Sequence, residues 1–133
     1  MNALPSDVGA SPARPEPPGV LVFVLEGREY ALPLEAIVEV IDYRAPTSVP
    51  GARPEILGIL PLRGRMVTIL DGRARLGLPA GLDEAHARLI ILRDEEEWMA
   101  LLVDGVSRVQ ALAGGGHDGV LLLEPAAFLQ EEG

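Results

Sequence analysis

Apolar residues fall along this chain in short dense runs, each closed by a charged or glycine-bearing break. VLVFVL (20–25) is continuous and largely β-branched, EGRE (26–29) interrupts it at Gly27, and YALPL (30–34) resumes it. Two such runs across a short glycine turn predict a β-hairpin. Pro33 has no N–H to give to a ladder, so it belongs at an edge or a strand end. EAIVEVID (35–42) predicts a turn or helical loop running into a strand, and APTSVPGARP (45–54) a loop. EILGIL (55–60), broken by Gly58, and MVTILD (66–71) predict a second hairpin whose turn runs from Pro61 to Arg65, with Gly64 free to take positive φ. RLGLPAGLDEAHA (75–87) reads as a linker with one helical turn at Asp83–Ala87. RLIILR (88–93), DEEE (94–97) and WMALLVD (98–104) predict a third hairpin.

Beyond it, GVSRVQAL (105–112) alternates, which predicts that Val106, Val109 and Leu112 are buried in part. AGGGHDG (113–119) reads as a flexible turn, VLLL (120–123) as a short strand, and EPAAFLQEE (124–132) as a terminal helix with Pro125 in its first turn. Eight or nine short strands with close turns and no βαβ alternation indicate an all-β barrel or sandwich. Residues 1–19 hold five prolines and few large apolar side chains, which predicts a disordered arm ahead of a single domain at 20–133.

Composition narrows the function. A chain of 133 residues suits one domain with a real core. Cysteine is absent, which excludes disulfides, thiolate metal sites and cysteine nucleophiles. All 11 basic residues are arginine, so no lysine Schiff base and no Walker A loop can form. A formal charge of −9 argues against nucleic acid and anionic membranes as partners. No signal peptide or membrane-length apolar run is visible, and a soluble cytoplasmic protein is expected.

Catalytic chemistry finds little to use. His86 and His117 sit in loops without metal-ligand spacing, and no serine lies in a G-x-S-x-G elbow. Asp71, Asp104 and Asp118 stand beside glycines at strand ends, where turn capping accounts for them. No catalytic residue, cofactor or metal is expected. A ligand-binding or catalytic barrel would need a pocket with perturbed ionisable groups. Arg63, Arg65, Arg73 and Arg75 crowd into a short stretch of an acidic chain. They either balance nearby acids and keep a hairpin soluble, or form a docking surface for an acidic partner.

Three segments together resemble the CheW-like coupling proteins of bacterial chemosensory pathways: VFVLEGREYALPLEAIVEVI (22–41), SVPGARPEILGILPLRGRMVTILDGRARLG (48–77) and LIILRDEEEWMALLVDGVSRVQAL (89–112). The resemblance implies two small SH3-like β-barrel subdomains, the first at about 30–85 and the second at about 86–133 plus the first strand. It further implies a non-enzymatic adaptor between the cytoplasmic tip of a chemoreceptor (a methyl-accepting chemotaxis protein) and the regulatory domain of a CheA-type histidine kinase, or another CheW-like protein. By the same resemblance the contact residues are Glu39, Val40 and Ile41, the turn Leu62, Arg63, Gly64 and Arg65, and Val103, Asp104 and Val106.

Pro61 and Gly72 depart from the family pattern, which has asparagine and an apolar residue there. Between Leu112 and the final LLLEPAAFL only AGGGHDGV stands where the family has a longer stretch, so about one strand pair is missing. The expectation is a truncated second subdomain with a short C-terminal helix, and an accessory, FrzB-like adaptor with weakened or absent kinase binding. The alternative is a kinase-binding regulator that competes with a full-length coupling protein. Open strand edges would also permit homo-oligomers.

Overall fold

Three two-residue hairpin tips organise the chain. A computed structural model describes residues 19–111, 120–125 and 128. Strand β1 (Gly19–Leu25) turns at Glu26–Gly27 into β2 (Arg28–Pro33); β4 (Ile56–Leu62) turns at Arg63–Gly64 into β5 (Arg65–Asp71); β6 (Arg88–Asp94) turns at Glu95–Glu96 into β7 (Glu97–Val103). The first two tips have positive φ at both central residues, 54° and 74° at Glu26 and Gly27, 51° and 81° at Arg63 and Gly64. Such turns match the right-handed twist of the strands they join. Pro61 lies inside β4 opposite Met66, not in the turn, and it is tolerated because β4 ends its sheet.

A 3-10 turn at Leu34–Ala36 leads into β3 (Ile37–Asp42), and one short helix, α1 (Gly72–Arg75), follows β5. The sequence pattern gives no sign of α1; Asp71 caps it by accepting the Arg73 backbone N–H at 3.1 Å. The expected helical turn at 83–87 is present, with the His86 and Ala87 N–H groups both donating to the Asp83 carbonyl. Strands β8 (Gly105–Ala111) and β9 (Val120–Leu122) complete the set. Gly19 belongs to β1, so the expected N-terminal arm loses its last residue to the domain; the remainder of that arm, the AGGGHDG turn and most of the terminal helix lie outside the described residues.

Two sheets result, β3-β6-β7-β5-β4 and β8-β1-β2-β9. The sheet boundary does not fall near residue 86: β7 pairs in parallel with β5, which draws the 88–103 hairpin into the first sheet. The five-stranded sheet curls until its ends meet. Thr47, just past β3, exchanges both backbone hydrogen bonds with Ile59 of β4 at 2.9 Å. Gly58 makes that approach possible, because a Cβ there would lie 2.2 Å from the Thr47 carbonyl oxygen. The barrel interior is filled by Leu60, Leu62, Val67, Ile69, Leu89, Ile91, Ala100 and Leu102.

Alternate residues of β6 and β7 point the other way. Ile90, Leu92, Leu101 and Val103 pack with Leu70 against Leu21, Phe23, Leu25, Tyr30 and Leu32 of the four-stranded sheet. This hairpin is therefore apolar on both faces, and its unbroken IIL and ALLV runs follow from double burial. Each such side chain contributes about 2 kcal/mol of transfer free energy. Gly72 stands where the barrel meets the second sheet, and a Cβ there would be 2.6 Å from the Leu102 carbonyl and within 3.3 Å of Leu25. Close packing accounts for the glycine at a position the resemblance gives to an apolar side chain.

Among the described residues the four-stranded sheet does not close. Strands β8 and β9 are its two edges. Val109 sits opposite Leu21 and Leu121 opposite Tyr30, yet they are 60% and 59% exposed. The expected partial burial of Val106 and Val109 is thus not met, since no described strand continues the sheet past β8, and Leu112 lies outside the described residues. Phe128, the one described residue of the terminal segment in helical conformation, packs into the cluster between the sheets.

Candidate functional site

The contact residues expected by resemblance separate into two groups. Arg63 rises from the β4–β5 tip and grips Glu39 of β3 with two hydrogen bonds, Nε to Oε2 at 2.7 Å and Nη2 to Oε1 at 2.8 Å. The paired guanidinium holds the Glu39 carboxyl below the usual glutamate range and raises Arg63 in turn. Val40 pairs with Ile90, which faces the seam between the sheets, and is itself 36% exposed. It places an exposed apolar side chain on the seam side of β3, the opposite face from Glu39, whose partner Ile91 is in the barrel core. Ile41 and Leu62 turn into the barrel core. Arg65 lies over the Trp98 ring, 4.0 Å from its centroid, and donates to the Glu96 carbonyl at 2.9 Å.

Val103, Asp104 and Val106 make the second group. Val103 is buried between the sheets, while Val106 is exposed on the β8 edge. Asp104 is an anchor: it accepts Nε and Nη2 of Arg73 at 3.0 and 2.7 Å, and the Glu26 backbone N–H at 2.8 Å. The Nη1 of the same arginine donates to Glu26 Oε1 at 2.6 Å and to the Pro79 carbonyl at 2.9 Å. One half-buried guanidinium thus ties α1, the 78–87 linker, the β7–β8 junction and the positive-φ β1–β2 tip together. Hydrogen bonding to Asp104 raises the Arg73 pKa.

Four neighbouring arginines do not form one basic patch. Arg63 and Arg65 stand at one end of β5, Arg73 and Arg75 at the other, roughly 20 Å away for a seven-residue strand. Arg75 approaches Glu55 at 3.4 Å. Arg63, Arg73 and Arg75 thus all pair with acids, and of the four only Arg63 and Arg65, at the β4–β5 tip, are exposed.

At the far end of the barrel from that tip lies a cavity of about 520 Å³, lined by Tyr43, Ala45, Pro46, Leu57, Asp71, Gly81, Leu82 and Leu102. The hydrophobic pattern gives no sign of it, because its walls come from two loops and three strand ends. Burial first, and then the charge of Glu84, push the Tyr43 hydroxyl pKa up. His86 pairs with Asp83 at 2.8 Å on the exposed linker. Among the described residues no three histidine, aspartate or glutamate side chains gather as a metal site, and no helix is long and apolar enough to cross a membrane.

Known proteins are similar to this chain in sequence and fold. The family model described as CheW-like domain matches residues 19–115. The chemotaxis protein CheW of Bacillus subtilis (strain 168) is 32% identical over 90 residues, covering 68% of this chain and 58% of that protein. Its counterpart from Rhizobium meliloti (strain 1021) is 29% identical over the same length and coverage. The chain therefore spans less than three-fifths of these relatives. The crystal structure of the scaffolding protein TtCheW from Thermoanaerobacter tengcongensis superposes with a TM-score of 0.68 at 29% identity, covering 72% of this chain and 66% of that one.

Proposed function

This chain belongs to the CheW-like domain family, and from that premise we propose that it is a non-enzymatic adaptor in a bacterial chemosensory array, linking chemoreceptor cytoplasmic tips to a CheA-type histidine kinase. The observation that carries the reading is strand β3, which exposes Val40 on its seam face and carries Glu39, gripped by Arg63, on the other. A helical receptor tip needs apolar contact with charged margins, and this strand supplies an exposed valine and a charged pair. Arg63, Glu39 and Val40 are then the receptor-facing residues, with Leu62, Ile41 and Gly64 holding the tip in place and Arg65 beside it. Val103 and Asp104 support the scaffold instead of touching a partner.

The adaptor is an accessory form with reduced kinase binding. Supporting this is the open second sheet, whose edge residues Val109 and Leu121 stand in line with core positions but are uncovered. A partner that docks on a complete second barrel loses part of its surface here. The test is a pair of titrations, against the receptor's cytoplasmic tip and against the kinase's regulatory domain. Receptor binding that weakens in Arg63→Ala, with weak or absent kinase binding, is the expected result. Kinase binding without receptor binding makes the chain a competitor of a full-length coupling protein. No binding to either overturns the adaptor reading.

A further inference from the structure

We propose that the barrel mouth opposite the Arg63 tip is a binding site for a neutral, largely apolar small molecule the size of a fused-ring aromatic. The site is independent of the adaptor reading. Its cavity of about 520 Å³ lies within the size range of small-molecule sites, and barrel mouths are a common place for them. A cavity of roughly 150 Å³ admits one benzene ring, so this one has room for a fused ring system. Leu57 and Leu102 form its floor and belong to, or pack on, the barrel's interior cluster, so an apolar body entering here continues the core. Ala45 and Pro46 wall it from one loop, Gly81 and Leu82 from the linker. Leu82 leaves a large apolar side chain 46% exposed at the opening, surface that a bound ring removes from water.

The charges at the mouth favour a neutral occupant. Among the described lining residues only Tyr43 and Asp71 have polar side chains. Asp71 caps α1 through the Arg73 N–H at 3.1 Å, and after Asp104 and Glu26 its charge also raises the Arg73 pKa. The Arg73 guanidinium in turn lies against Gly81, where a Cβ would be 2.7 Å from Nη1, and is held by Asp104, Glu26 and the Pro79 carbonyl. Arg44 stands between the lining residues Tyr43 and Ala45 and is exposed. Carboxylate and guanidinium thus share the rim, and neither sign of head group finds an unopposed partner there. A charged ligand loses hydration without gaining a dedicated counter-ion. Tyr43 is the one uncharged polar side chain of the described lining, its hydroxyl pKa pushed up by burial first and by the charge of Glu84 second. It stays protonated at neutral pH and can exchange a hydrogen bond with a hydroxyl on the ring.

Naphthol, naphthoate and naphthylmethylamine carry one ring system with a neutral, an anionic and a cationic group, and they are the probes. Each is titrated into the full chain at neutral pH while leucine methyl resonances are followed by NMR. Naphthol is expected to give saturable shifts centred on Leu57, Leu82 and Leu102, and to bind roughly three- to tenfold more tightly than either charged ring, which must shed hydration at the mouth. Leu82→Ala trims an exposed wall without touching the core, and is expected to weaken naphthol severalfold. Ala45→Trp fills the opening and blocks all three probes. A charged ring that binds as tightly as naphthol, shifts that spread over the surface without saturating, or naphthol binding unchanged in either variant overturns the proposal; the first two outcomes need no variant.

Discussion

The same hairpin, β6–β7, serves two sheets that end differently. On one face it completes a five-stranded sheet whose ends meet through Thr47 and Ile59 and through Arg63 and Glu39. On the other it supports a four-stranded sheet whose edges stop at β8 and β9 with Val109 and Leu121 uncovered. Closure, not hydrophobic content, decides which apolar residues are buried. Val109 lies across the ladder from Leu21, which is only 5% exposed, and differs from it in that no described strand pairs on its outer side.

The comparison breaks most severely at the shared wall. Ile90→Ala empties a fully buried site between the sheets and is expected to cost about 3 kcal/mol, read from urea unfolding. Next comes the closure itself. Gly58→Ala drives a Cβ into the Thr47 carbonyl and is expected to cost about 2 kcal/mol, with loss of hydrogen-exchange protection at Thr47 and Ile59. Arg73→Ala leaves Asp104 without its bidentate donor and unties the β1–β2 tip; about 2 kcal/mol of destabilisation is expected, with NMR shift changes that cross from one sheet to the other. At the open edges the expectation reverses: Val109→Ala and Leu121→Ala should each change stability by less than about 0.5 kcal/mol despite their register with the core.

The smallest effect is electrostatic. Arg63 depresses the folded-state pKa of Glu39, as Arg108 does that of Glu29. A depressed carboxylate contributes stability that is present above its unfolded pKa, about 4.3, and is lost as pH falls through the lower folded value. Stability should therefore decline on acidification below that point, less steeply in Arg63→Ala. The Glu39 carboxyl titration followed by NMR should then return toward the ordinary glutamate range. An unchanged Glu39 midpoint in the variant would show that the pair does not persist in solution.

Much of the architecture was legible because short-range signals carry it. Gly27 and Gly64 mark their hairpin tips, where positive φ is needed, and the apolar runs on either side of 94–97 mark the β6–β7 hairpin, though not its burial on both faces. Helix α1 was not legible: four residues give no periodicity, and the arginines that suggest a basic patch are spent on Asp104, Glu26 and Glu55. Val106 and Val109 misled because alternation reports which face a residue takes, not whether anything lies above it. The Arg63–Glu39 pair joins residues far apart in the chain, and the cavity at the other end of the barrel draws on loops 45–46 and 81–82. No local pattern encodes either meeting.

Pairing of β1 with β8 brings Gly19 beside Ala111, so this ladder closes a loop of nearly the whole domain. Loop closure of that length loses far more chain entropy than forming the β6–β7 hairpin, whose partners are separated by a two-residue turn. The inner face of β1 and β2 also has nothing to rest on until Ile90, Leu92, Leu101 and Val103 are in place. The order of assembly follows: barrel first, then the open sheet as a late addition onto a finished surface. Pulse-labelled hydrogen exchange during refolding should find the amides of β6 and β7 protected early and those of β8 last.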